Sequence, residues 1–190
     1  MRKVFHTIPT LTTPRLILRA IQMQDAPQFY QYACDPLVAE HVLWDAHPAL
    51  AHTRNVIRHM QWQYKQDDAF SLAIVLKETQ QLIGTIGFMS LETGNRVADV
   101  GYSLNRSYWN KGYMTEALSA LLAYGFHDLS LNRIEAQHEC TNPSSGIVMR
   151  KVGMRREGCL RQRYFNKGKF VDVEQYAILR HEFTERKART

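Results

Sequence analysis

Residues 105–116 read Asn-Arg-Ser-Tyr-Trp-Asn-Lys-Gly-Tyr-Met-Thr-Glu and set a lysine and a glycine at the junction of two elements. Upstream, Val97 to Leu104 carries β-branched and aromatic residues and ends at the turn-like Asn105-Arg106-Ser107, which predicts a strand. Downstream, Met114, Leu118, Leu121, Leu122 and Gly125 recur on one face of a 3.6-residue period, which predicts a helix reaching Phe126. A helix that begins just after a glycine offers several unpaired N–H groups at one point, and its dipole adds to their attraction for negative charge. Lys111 adds a full positive charge. The chemistry offered is a grip on an anion such as the phosphates of a cofactor. The same spacing also fits an ordinary strand–helix connection.

The elements that must position this loop follow in order. Residues 1–12 read as a lead-in. Thr13 to Arg19 predicts a first strand with Pro14 at its start, where a missing N–H is tolerable. Asp25-Ala26-Pro27 opens a helix, with Asp25 as N-cap and Phe29, Tyr30 and Ala33 on its apolar side, ending near Asp35-Pro36. Leu37 to Pro48 reads as irregular. A second helix runs from about Ala49 to Gln66, with Val56, Ile57, Met60 and Tyr64 inward. Phe70–Leu76 and Leu82–Met89 read as a hairpin, and Ser90–Arg96 as a turn. After the central helix come a strand over Asn132–Cys140, a short helix from Asn142-Pro143 through Lys151 with Gly153 as its C′ residue, and two final strands, Met154–Tyr164 and Lys169–Leu179, around a turn at Asn166-Lys167-Gly168. No repeat or linker divides residues 1–190, which predicts one α/β domain with a mixed sheet.

Composition excludes several classes. With 190 residues, 45% hydrophobic and 22% charged, the chain suits one soluble globular domain. Its longest nearly apolar stretch, Ala117 to Phe126, is too short to span a bilayer, and no apolar run follows the basic Met1-Arg2-Lys3, so neither a membrane span nor a signal peptide is expected. Cys34, Cys140 and Cys159 are odd in number and far apart in sequence, which suits a reducing cytoplasm rather than a disulfide framework. His41, His47, His52 and His59 lack ligand spacing, and no metal is expected. The net charge of +6 suits a polyanionic partner, with much of the excess in the last third and in a tail near 184–190. Neither a zinc finger nor an aromatic-interleaved platform accompanies it, so direct nucleic-acid binding is not expected. A Ser-His-Asp elbow and a phosphate-loop Gly-Lys-Ser/Thr are both missing.

Five stretches together resemble the GCN5-related N-acetyltransferases, in particular their RimJ/RimL branch, which acetylates protein N-termini. Thr13-Pro14-Arg15-Leu16-Ile17-Leu18-Arg19 resembles that branch's opening strand. Ala98 to Leu104 followed by Tyr108-Trp109-Asn110-Lys111-Gly112-Tyr113-Met114-Thr115-Glu116-Ala117 resembles its acetyl-CoA motif. Asn142-Pro143-Ser144-Ser145 with Lys151-Val152-Gly153-Met154 resembles its Asn-x-x-Ser helix. Glu157-Gly158-Cys159-Leu160 and Asp172 to Ala177 resemble its closing hairpin. The chain departs from the pattern at three positions. Trp109 stands first in the pyrophosphate loop, where glutamine or arginine is usual. Met114 stands last, where a small residue is usual, and would crowd the approach of backbone to phosphate. Arg163, before Tyr164, stands where some members carry a glutamate base.

The resemblance implies a mostly antiparallel mixed sheet flanked by helices, with its fourth and fifth strands splayed. The pantetheine arm of acetyl-CoA would enter that V. Residues 109–115 would hold the pyrophosphate, Asn142 would contact pantetheine, and backbone N–H groups at Ser103 and Leu104 would polarise the thioester carbonyl. Ser145 would hydrogen-bond the departing sulfur, although Asn142 and Ser145 equally suit N-capping of a short helix. The base stays open among Asp99, Glu92, Glu139 and Glu40. Without a dedicated base, an α-amine with pKa near 7.7–8.0 remains a better acceptor than a lysine. The implied acceptor is a protein N-terminus. An aminoglycoside or polyamine is the enzyme alternative, and a silent acyl-CoA-binding module is the alternative of another class. The resemblance also admits a homodimer.

Overall fold

The computed structural model describes residues 8–66 and 69–183; the expected basic tail lies outside them. Its strands are β1 (Leu11–Thr12), β2 (Leu16–Ala20), β3 (Phe70–Leu76), β4 (Leu82–Glu92), β5 (Val97–Leu104), β6 (Arg133–Glu139), β7 (Arg155–Asn166) and β8 (Lys169–Leu179). Its α-helices are α1 (Ala26–Ala33), α2 (Pro36–Ala39), α3 (Leu50–Gln63), α4 (Tyr113–His127) and α5 (Pro143–Lys151). The strands form one eight-stranded sheet in the order β1-β2-β3-β4-β5-β6-β8-β7. Neighbours are antiparallel except β5 and β6, which run parallel because α4 carries the chain back across the sheet.

Three local readings change. Thr13 donates its N–H to the Leu16 carbonyl at 3.0 Å, so Thr13-Pro14-Arg15 is a turn that folds Leu11–Thr12 onto β2 rather than the start of that strand. Asp25 stands at the N-cap position of α1, but its side chain makes no cap bond there. Its carboxylate accepts instead from Nη1 and Nη2 of Arg19, each at 2.8 Å, and from the Gln22 N–H at 2.7 Å. The supposedly irregular 37–48 contains most of α2, which Asp35 caps through the Leu37 N–H at 3.0 Å.

The sheet separates two cores. On one side Leu118, Leu121 and Leu122 of α4 pack on Leu18, Leu72, Ile74, Phe88 and Val100. A Cβ on Gly125 would lie 2.7 Å from Ile134 Cδ1 and 2.9 Å from Phe88 Cζ, so only glycine lets α4 approach this closely. On the other side Phe29, Tyr32 and Ala33 of α1 and Ile57 of α3 pack on Ala73, Val75 and Leu82. This second cluster stops at β2–β4. Over β5, β6 and β8 the same face carries the half-buried polar residues Asp99, Glu135, Gln137 and Gln175.

β5 and β6 pair from Val97↔Arg133 to Val100↔Ala136. Beyond that, β5 follows β4 to Gly84↔Leu104 while β6 follows β8 to Glu139↔Val173, and the two strands part into a V. These are the fourth and fifth strands of the sequence reading, displaced in number by β1. Two of the three cysteines also meet: Cys140 and Cys159 bring their Sγ atoms to 3.7 Å as unbonded thiols on either side of β8.

Candidate functional site

The loop from β5 to α4 is shaped by its backbone. Asn110 and Gly112 have φ of 59° and 78°, and Gly112 is the left-handed N-cap of α4 with no side-chain cap bond to that helix. The amides of Tyr113, Met114 and Thr115 thus open the helix without intrahelical acceptors. Asn110, Lys111 and Gly112 are exposed, and Tyr113 and Thr115 half-buried. Met114 does not crowd the loop: its side chain is buried in the α4 core. Trp109 donates its indole N–H to the Leu104 carbonyl at 2.8 Å, and Lys111 donates to the Ser107 carbonyl at 2.9 Å beside the Tyr108 ring.

A clamp holds the loop from outside. Arg15 donates its backbone N–H to Glu116 Oε1 at 2.8 Å, its Nε to Glu116 Oε2 at 2.6 Å, and its Nη1 to the Lys111 carbonyl at 3.0 Å. Its guanidinium stands 4.3 Å from the centre of the Tyr113 ring, and Thr13 adds a 2.6 Å bond to Glu116. Burial alone would raise the Glu116 pKa, but the bonds from Thr13 and Arg15 outweigh it and hold the carboxyl below its usual range. Glu116 therefore stays ionised and ties the first turn of α4 to the start of β2. Thr13 and Arg15 lie far from Glu116 in sequence, and the acidic residue in the first turn of a helix is the only local signal of this clamp.

The phase of β5 decides which groups enter the V. Asn105 donates its N–H to the Ile83 carbonyl at 2.8 Å, so in the antiparallel alternation Ser103 also faces β4 with its main chain, while Tyr102 and Leu104 turn theirs toward the gap. The main-chain edge expected at Ser103 and Leu104 is thereby moved to Tyr102 and Leu104. The Ser103 hydroxyl lies on the opposite face, 3.1 Å from Thr85 Oγ1 and 3.4 Å from the Tyr32 hydroxyl. From the other arm, α5 presents Ser145, whose Oγ lies 2.7 Å from the Tyr102 hydroxyl. Burial pushes the Tyr102 pKa well above the phenol's ordinary value. Asn142 occupies the N-cap position of α5 but makes no cap bond, so its half-buried amide is not used in capping.

The carboxylates named for proton removal part company. Glu92 is exposed at the far end of β4 and accepts from Asn95 at 2.9 Å; Glu40 is exposed beside His41. Glu139 is buried at the end of β6 and accepts from Asn166 at 2.5 Å, His41 at 3.3 Å and Thr141 at 3.4 Å. Burial opposes its charge, but those bonds and the neighbouring imidazole hold its pKa low. Asp99 differs from all three. Its Oδ1 is buried without a hydrogen-bond partner, and burial, with the charge of Glu135 second, pushes its pKa up to about 6. By strand alternation it shares its face with Gly101, at the root of the V. On the closing hairpin, Tyr164 rather than Arg163 reaches this face, donating to Gln137 Oε1 at 3.0 Å, while the exposed Arg163 lies over the Tyr164 ring.

The arrangement can hold an anion at the α4 start, an extended amide-bearing chain along β5, a hydroxyl beside that chain and a proton acceptor below it. Comparison with known proteins gives the family and the fold. Residues 15–155 match the family described as acetyltransferase (GNAT) domain. The uncharacterized N-acetyltransferase p20 of Bacillus licheniformis is 35% identical over 174 residues, covering 92% of this chain and 98% of its own. The ribosomal-protein-serine acetyltransferase of Escherichia coli is 32% identical over 123 residues, 65% of each chain. A GNAT-family acetyltransferase structure from Bacillus anthracis superposes with a TM-score of 0.82 at 29% identity, covering 91% of this chain and 99% of the other. A structure of RimL, a ribosomal L7/L12 α-N-protein acetyltransferase in complex with coenzyme A, shares the fold with a TM-score of 0.82 at 22% identity, covering 90% and 98%.

Proposed function

Because the chain belongs to the GNAT acetyltransferase family, we propose that it transfers the acetyl group of acetyl-CoA to the α-amine of a protein N-terminus. The residues suit that donor. The amides of Tyr113, Met114 and Thr115 with Lys111 would hold the pyrophosphate. The main-chain groups of Tyr102 and the N–H of Leu104, whose carbonyl the Trp109 indole already occupies, would pair with the amide-bearing arm and polarise the thioester carbonyl, and Asn142 would contact the arm from α5. Ser145 would stabilise the charge that collects on sulfur as the C–S bond breaks.

Asp99 is the base in this reading. An acceptor amine must be neutral to attack and must lose a proton as the C–N bond forms. A carboxyl with a pKa of about 6 is mostly ionised at neutral pH, and its buried Oδ1 lacks any competing donor. It would act directly or through one water. The chain then has a base even though Arg163 stands where some members of the resembled branch carry a glutamate.

The observation that carries the choice of acceptor is the neutralisation of the open face. Glu135 is paired with Arg133, Glu157 also with Arg133, and Glu139 is capped by Asn166 and His41. Among the described β5, β6 and β8 residues of that face, Asp99 is the carboxylate left with an unpartnered buried oxygen. A polyamine or aminoglycoside carries several charges and needs several carboxylates; a single α-amine needs one. The names of relatives that act on ribosomal-protein serine and alanine support the same choice. Three unbonded thiols suit a reducing cytoplasm.

The test is thiol release from acetyl-CoA with peptides beginning in serine or alanine, with spermidine and with kanamycin. Release with the peptides at the highest kcat/KM is expected. Preference for spermidine or kanamycin would refute the acceptor assignment, and coenzyme A binding with no release from any of them would mark a silent binding module.

A further inference from the structure

We propose that Tyr102 is a positioning residue that aims the Ser145 hydroxyl at the departing sulfur. The inference rests on the reading of Ser145 given above and adds a residue to it. Tyr102 lies two positions beyond Val100, the last β5 residue paired with β6, and Ser145 lies in the first turn of α5, the helix that follows β6. Their contact therefore bridges the two arms of the V where they separate.

The hydrogen count explains the assignment. The Tyr102 oxygen lies 2.7 Å from Ser145 Oγ and 3.2 Å from the Ser145 carbonyl oxygen. Each hydroxyl owns one hydrogen. With no acceptor in the V, Tyr102 can donate to the carbonyl while Ser145 donates to Tyr102. Once sulfur gathers charge, Tyr102 donates to Ser145 Oγ instead, and the Ser145 hydrogen is free to point at sulfur. The Tyr102 hydroxyl has no rival among the nearby phenols. Tyr176 donates its own hydrogen to Glu174 at 3.1 Å and accepts from Arg150 at 2.8 Å. Tyr102 keeps its proton throughout, since a buried phenolate is costly. The C–S bond breaks and its electron pair stays on sulfur. Ser145 hydrogen-bonds that thiolate without losing its proton, solvent later protonates it, and the amine's proton leaves by Asp99. Two hydroxyls in series also strengthen the outer bond, because each polarises the next.

The experiment compares wild type, Y102F, S145A and the double variant with two donors, acetyl-CoA and an acetyl aryl thioester whose thiol leaves without help. Rates are expressed per coenzyme A-binding site counted by calorimetric titration, so misfolded protein does not enter. For Y102F with acetyl-CoA, kcat should fall about tenfold, the effect of one lost hydrogen bond, with KM for acetyl-CoA little changed. With the aryl thioester the deficit should largely vanish. S145A should show the same donor dependence with a larger fall, and Y102F added to S145A should cost nothing more. A Y102F deficit that is equal for both donors, or that adds to that of S145A, would show a brace between β5 and α5 and overturn the proposal while leaving Ser145 in its role. Donor independence in S145A itself would remove the reading of Ser145 and the role of Tyr102 with it.

Discussion

Replacing Asp99 with asparagine should stabilise the protein relative to wild type at neutral pH and disable it. Burial, assisted by the Glu135 charge, raises the Asp99 pKa from 3.8 to about 6. The folded protein therefore retains a proton that the unfolded chain has already released. The stability from this group is fully present below about pH 4 and is lost as pH rises through about 6. A rise of about two pKa units at 1.36 kcal/mol per unit amounts to about 3 kcal/mol. In D99N this loss is absent, so its stability relative to wild type should climb by about 3 kcal/mol between about pH 4 and pH 7. His47 moves the other way in the same window. Burial, and then the charge of His52, lowers its pKa to about 4, so its stability contribution is lost as pH falls from the ordinary histidine value through about 4. It is common to both proteins and cancels in the difference. Urea unfolding of both proteins across that range gives the quantity directly. In parallel, wild-type kcat/KM should fall below about pH 6, and D99N should lose about 10²- to 10⁴-fold in kcat, the usual contribution of a general base. A stability difference independent of pH would refute the raised pKa. A D99N enzyme that keeps its rate and its acid limb would refute the assignment of the base, leaving the amine's own pKa as the only limb.

Two further outcomes follow from the loop and the core. G112A places a side chain on a backbone with φ of 78°, which should cost about 1–2 kcal/mol of stability and weaken coenzyme A binding in calorimetry; binding equal to wild type would show that the left-handed N-cap does not shape the anion site. L121A, at a fully buried α4 position, should lower the urea-unfolding free energy by about 2–5 kcal/mol with coenzyme A affinity nearly intact, and a much smaller loss would mean that the α4 core is less tightly packed than described.

Local pattern determined much of this protein. The apolar run in Phe70–Leu76, the helical period from Met114 to Gly125, and Lys167-Gly168 at a two-residue turn with φ of 49° and 79° each act over a few residues, so they are legible without knowing the rest of the chain. The motif that identifies the family is local in the same sense: a glycine is needed where the backbone turns left-handed into α4. What joins distant segments was decided by strand order and register. Arg15 meets Glu116 because α4 packs across β2, Tyr102 meets Ser145 because the parallel β5–β6 pair stops at Val100↔Ala136, and Cys140 meets Cys159 because β8 inserts between β6 and β7. The phase of β5 likewise turned Tyr102 and Leu104, rather than Ser103, toward the V. Burial settled the rest. A carboxylate reads the same in sequence at Glu92, Glu139 and Asp99, but solvent, hydrogen bonds and a neighbouring charge give the three different proton affinities, and those surroundings exist only once the sheet has formed.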